Sequence, residues 1–197
     1  MKRNYPTGPE LMNLHGHNKQ IPAEYEEHIF LALHHFPELA QVRIKFRGAE
    51  QLEYPLKTTP SRISLLAPPG KRTYTISILT EAPEPMEKAL LKNLPHEAKI
   101  AALAHELAHV VQFEKSGALQ AVSMSLHTGN GYRELERGAD IMVIEHGLGF
   151  ELYTLASYLQ KIPSLFETYR HADVNRLNPN EILEALPPDQ LQEVHRF

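Results

Sequence analysis

Between Pro95 and Gly117 the chain runs without another proline or glycine. Pro95 suits the first position of a helix and Gly117 suits a stop, so the pattern predicts one long helix over 95–116. Its middle reads LAHELAHVVQFE (103–114). Ala101, Leu103, Ala104, Leu107, Ala108, Val110 and Val111 make it apolar on most sides, yet His105, Glu106 and His109 lie among them. A helix that is apolar all round belongs in a core. Two imidazoles and a carboxylate are costly there unless they are paired or hold a metal ion. The fold therefore has to bring partners to this helix.

His105 and His109 are four residues apart, which places them one above the other on one helix face. Their rings can converge on a single ion. Zn²⁺ suits nitrogen and oxygen donors, and a catalytic site takes three protein ligands and keeps one position open. Glu106, next to the first ligand, need not bind the ion and can act as general base on a zinc-activated water, the logic of H-E-x-x-H. The chain has no cysteine, so any metal site has to use His and carboxylates. The metzincin pattern is excluded, because Gln112 and Lys115 stand where it needs Gly and His.

The third ligand is sought in RELERGAD. Glu136 and Asp140 share a face of the helix expected over 132–146, and Gly138 and Ala139 keep that helix slim enough to pack closely. Glu136 can complete the ligand set, and Asp140 can fix the tautomer of a ligand histidine. His127 is the alternative third ligand. The same spacing also fits an exposed acidic face with Arg133 and Arg137 as helical partners.

H-E-L-A-H (105–109) followed by E-R-G-A-D (136–140) resembles the gluzincin metallopeptidases of the thermolysin type, with H-E-x-x-H on one helix and E-x-x-x-D on a later one. In size and layout the chain looks most like the minigluzincins. The resemblance spans roughly residues 22–160 but is carried by those two motifs. It implies one zinc ion per chain held by His105, His109 and Glu136, Glu106 as the catalytic base, and Asp140 behind the ligands. The activity implied is peptide-bond hydrolysis by an endopeptidase. The alternative is a catalytically silent, metal-containing module that binds peptides or regulates. An intact Glu106 speaks against it, since a binding module does not need that residue. A purely structural metal site would prefer four protein ligands.

A donor for the developing oxyanion can be sought among His127 and Tyr153, with Tyr132, His146 and His171 as further candidates. By analogy with the clan, a peptide or protein substrate would pair with the edge of a strand above the metal helix. RTYTISIL (72–79) is the candidate.

The remaining chain reads as an α+β fold in one zincin-like domain over 1–197. Residues 1–20 look like an irregular arm, in which His15 and His17 could reach and block the site. The half 21–117 holds an N-terminal helix (22–35), a small antiparallel sheet and the metal helix. Residues 41–48 alternate strictly and predict a half-buried strand. Runs 61–67 and 72–80 flank Pro-Pro-Gly-Lys and predict a β-hairpin. The half 118–197 is helical after a connection at 118–131. Helices are expected at 132–146, 150–160, 164–172 and 178–186, the last with Asn178 and Glu181 as a capping box, and after Pro188. Arg43, Lys45 and Arg47 read as a solvated face of their strand.

The net charge of −4 offers no overall attraction to nucleic acid or to a membrane. No apolar run is long enough for a membrane span, and no signal peptide follows the basic start, so the expected location is cytoplasmic.

Overall fold

The computed structural model describes residues 8–125, 130–162, 165 and 176–194. It is an α+β fold whose four-stranded sheet is mixed. The helices whose bounds lie among the described residues are α1 (Gly8–His15), α2 (Glu26–His34), α3 (His96–Lys115), α4 (Ala118–Ser125), α5 (Asn130–Glu145), α6 (Gly149–Gln160), α7 (Pro179–Ala185) and α8 (Pro188–Val194). The strands are β1 (Lys19–Gln20), β2 (Arg43–Ala49), β3 (Leu56–Pro60) and β4 (Thr73–Leu79), in the order β1-β2-β4-β3. β1–β2 and β2–β4 are parallel, and β3–β4 is antiparallel.

Alternation decides which face of the sheet is buried. Ile44 and Phe46 on β2, and Tyr74, Ile76 and Ile78 on β4, share the inner face and are buried. Each such side chain contributes about 1.5–3 kcal/mol of burial. α3 touches α2, β3, α5 and α6, and nearly every side chain from Ala98 to Phe113 is buried. The helix with apolar residues on most sides is thus the central one. Arg72, itself buried, closes its C-terminal end by donating to the carbonyls of Phe113 and Ser116, where free carbonyls and the helix dipole favour a cation.

Several expectations are corrected. The first 20 residues are not an irregular arm throughout. Leu11 anchors α1 in the core, and the Lys19 ammonium donates to the carbonyls of Leu39, Ala40 and Val42, which ties β1 beside β2. The sheet is mixed, not purely antiparallel. Run 61–67 is a series of turns, because the Ser64 hydroxyl bonds the backbone of Ser61 and Thr73 and Arg72 takes the Ala67 carbonyl. Local side-chain bonds of this kind compete with a ladder. The partner of β4 is instead β3, which begins just after Pro55 and ends at Pro60 and tolerates them because it is an edge strand. Segment 72–79 is therefore interior, paired on both sides, and offers no free edge to a peptide. The connection at 118–131 contains α4 and the start of α5. The helices ending at Gln160 and Ala185 and the one opening at Pro188 are present, and Asn178 and Glu181 form the expected capping box. The helix expected at 164–172 lies outside the described residues, apart from Leu165.

Candidate metal centre

α3 and α5 cross in contact, and this crossing builds the site. α5 comes close because its contact face is small. Gly138 lies where a Cβ would stand only 3.2 Å from the Gln112 side chain. The approach brings Glu136 to the two histidines of α3. His105 Nε2 is 3.1 Å from Glu136 Oε2 and 3.1 Å from His109 Nε2. His109 Nε2 is 3.3 Å from Glu136 Oε1. All three side chains are buried. One ligand atom from each lies within 4.8 Å of the others, so the group could hold a metal ion.

The outer nitrogens show why a cation fits. His105 Nδ1 is 2.9 Å from Asp140 Oδ1, an acceptor-only carboxylate, so Nδ1 carries the proton. His109 Nδ1 is 2.9 Å from Gln112 Oε1. Gln112 Nε2 donates to the Leu135 carbonyl at 2.8 Å, which fixes the amide with its oxygen towards His109. Nδ1 of His109 is therefore a donor too. When both rings are neutral, both Nε2 atoms are left as lone pairs, facing each other and a carboxylate at about 3 Å. Three lone-pair donors that converge in a buried place repel unless a proton or a metal ion lies between them. Outer partners of this kind are what orients metal-ligating histidines.

Electrostatics agree with that reading. Burial and the nearby Arg176 disfavour a charged His105, but the charge of Asp140 and the hydrogen bonds that His105 donates to Asp140 and Glu136 outweigh them and raise it to about 9. Burial pushes Glu136 up, yet hydrogen bonds and charge from His105 and His109 hold it well below the usual carboxylate range. Asp140 is likewise held low, against its burial, by Arg176 and His105. In the protein alone the site thus keeps a proton where an ion would sit.

Asp140 is the hub behind the two histidines. Its Oδ1 accepts from Arg176 Nη2 at 2.6 Å as well as from His105, and its Oδ2 accepts from the Leu177 amide at 2.9 Å. Glu106 stands beside this group at the wall of the same cavity. Thr58 Oγ1 on β3 lies 2.7 Å from Glu106 Oε2 and 3.0 Å from the Glu106 carbonyl. A hydroxyl has one proton to give, and the carboxylate is the stronger acceptor. The cavity measures about 360 Å³ and runs from the β3 side (Tyr54, Leu56) past His105, His109 and Glu136 to an apolar wall of Met86, Leu152, Leu155 and Leu159.

The structure therefore brings together His105, His109, Glu136, Asp140 and Glu106. Of the donor candidates, Tyr132 lines the cavity, and burial together with the charge of Glu136 raises its phenol above the ordinary range. Tyr153 does not line it but packs against the core. His146 is elsewhere, stacked on Phe36 and paired with Glu38 at 2.9 Å. His127 and His171 lie outside the described residues. His15 meets His34 on α2 rather than the cavity, which corrects the expectation that it could block the site. Thr58, Gln112 and Arg176 are the participants that the sequence pattern did not single out. Their roles come from contacts spanning 48, 3 and 36 residues, of which only the Gln112 contact has a helical spacing.

Comparison of the chain with family models, with curated proteins and with solved structures found no match.

Proposed function

We propose that this chain is a zinc-dependent peptidase of the gluzincin kind. The observation that carries the reading is the convergence of the His105 and His109 Nε2 lone pairs and the Glu136 carboxylate on one point, with Glu106 at the wall of the same cavity. Two nitrogens and one oxygen, with one side open to a cavity, match the donor set of a catalytic zinc site. When bound, the ion supplies Lewis acidity, which lowers the pKa of a water towards ~7 and polarises an amide carbonyl.

The chain's own residues supply the rest. Thr58 engages Glu106 Oε2 and leaves Oε1 free to take a proton from the attacking water. Oε1 then returns that proton to the departing amine nitrogen. Asp140 and Gln112 keep both imidazoles turned to present Nε2. The cavity borders β3, the edge strand on the α3 side of the sheet, so an extended peptide would add to β3 by main-chain hydrogen bonds.

The test joins metal content to turnover. Wild type should carry about one zinc per chain, and Glu136→Ala should lose it. Glu106→Gln should keep the zinc and lose hydrolysis of a denatured protein substrate by ~100-fold or more. If Glu106→Gln cleaves like wild type, the peptidase assignment is wrong. If wild type carries zinc but cleaves nothing, the silent binding module takes its place.

A further inference from the structure

The net charge of −4 conceals a local separation of charge. Residues 39–49 and 54–80 contain Arg43, Lys45, Arg47, Lys57, Arg62, Lys71 and Arg72, and none of the chain's 24 acidic residues. The fold gathers four of these cations on one surface. Alternation turns Arg43, Lys45 and Arg47 to the outer face of β2, away from buried Ile44 and Phe46, and all three are exposed. The register sets Thr73 and Thr75 of β4 beside them, with Lys57 and Thr59 of β3 beyond, while Ser77 is buried between Arg47 and Lys57. The outer face is thus a row of cations about 6.6 Å apart, interleaved with hydroxyls. Among the described residues none of these four cations has an ion pair.

Loop 61–72 is rooted at one end of this face. The Ser61 amide donates to the Thr73 carbonyl and the Thr73 amide donates to Ser64 Oγ, and Thr73 is the strand partner of Arg43. The loop is held firmly from beneath. Leu65 is buried, Arg72 takes the Ala67 carbonyl, and the Gly70 amide donates to Glu114. Yet it presents Ile63 at 94% exposure and Leu66 at 76%, the two most exposed large apolar side chains described, with Arg62 and Lys71 exposed nearby. A flexible loop can expose an isoleucine in passing. This loop is instead tied to the body by a buried arginine and a carboxylate and leaves two aliphatics in water beside exposed cations, a combination suited to the boundary of an anionic surface.

We propose that the outer sheet face and loop 61–72 form a peripheral docking surface for an anionic phospholipid membrane. The cations and hydroxyls meet lipid phosphates, and Ile63 and Leu66 enter the boundary with the acyl chains. The face carries no aromatic side chain on which bases could stack, which disfavours a single-stranded nucleic acid. No helix among the described residues is long and apolar enough to cross a membrane, so the association is at the surface. None of the residues proposed to hold a metal or to catalyse belongs to this surface, although β3 borders both it and the cavity, which Lys57 also lines.

The experiment is co-sedimentation of the full chain with vesicles of phosphatidylcholine alone and of phosphatidylcholine with phosphatidylglycerol. Wild type should partition to the anionic vesicles and leave the neutral ones, and the binding should fall with salt. R43Q/K45Q/R47Q should weaken it roughly 100-fold, at about fivefold for each cation. I63S/L66S should weaken it about tenfold or more. All five positions are exposed, and circular dichroism of each variant checks that the fold is kept. Equal partition of wild type to both vesicles overturns the proposal, as does an unchanged partition of either variant. Tight binding of a single-stranded oligonucleotide that is lost in the triple variant but not in I63S/L66S would assign the face to a phosphodiester chain and overturn it as well.

Discussion

Asp140→Asn replaces one atom in the buried hub and tests the whole arrangement. The Asp140 carboxylate accepts from His105 Nδ1, from Arg176 Nη2 and Nε, and from the Leu177 amide. A carboxamide has one acceptor and one donor end. If its oxygen faces His105 and Arg176 Nη2, its nitrogen meets the Leu177 amide, donor against donor. If the amide is reversed, its nitrogen faces His105 Nδ1. That contact is relieved only when His105 moves its proton to Nε2, the atom that has to offer a lone pair to a metal. Arg176 in both cases loses its charged partner in a mostly buried place. Leaving one member of a buried pair alone costs about 3 kcal/mol, and disturbing a ligand's outer partner costs roughly 10–100-fold in metal affinity. Zinc competition against a chromophoric chelator measures the second quantity. Urea unfolding of zinc-stripped protein at pH 7 measures the first. A folded Asp140→Asn protein with wild-type zinc affinity would refute the tautomer argument.

On the zinc reading proposed above, a zinc ion and a proton compete for the same place. With His105 raised to about 9 in the protein alone, zinc binding at pH 7 should release about one proton. The affinity should rise about tenfold per pH unit and level off above 9, and calorimetry in buffers of different ionisation enthalpy would show it. The same shift gives zinc-stripped protein a stabilisation that is fully present below 6.5 and is lost as pH rises through about 9. A stability flat across that window argues against the His105–Glu136–Asp140 coupling. Thr58→Val should keep the zinc and lower turnover about tenfold by releasing Glu106, so unchanged turnover would leave Thr58 with a structural part only. Gly149→Ala should destabilise the protein by about 1–3 kcal/mol, since its Cβ falls on Leu186 and Gln190. A thermal melt unchanged from wild type would contradict that packing.

The long helix, its two histidines, the strand at 43–49 and the capped helix from Pro179 were all legible in the sequence. Each is encoded by residues within a few turns of one another: the Pro95 start, i,i+4 spacing, strict alternation, and Asn178 with Glu181. The pairing of Glu136 with Asp140 was legible for the same reason, although its meeting with α3 was an expectation that only packing could meet. The sheet's connectivity was not legible. A run such as LLAP looks like a strand until Ser64 and Arg72 claim its backbone, and a strand bounded by prolines looks like a loop until it is placed at an edge. The tertiary structure alone decided that Gln112 fixes the tautomer of His109, that Arg176 neutralises Asp140 and that Thr58 holds Glu106. The last two are long-range contacts, and no local pattern encodes which side chain meets which across 36 or 48 residues. It also decided that six exposed or half-exposed cations scattered over two segments gather about one face of the sheet and its loop, which a net charge averages away.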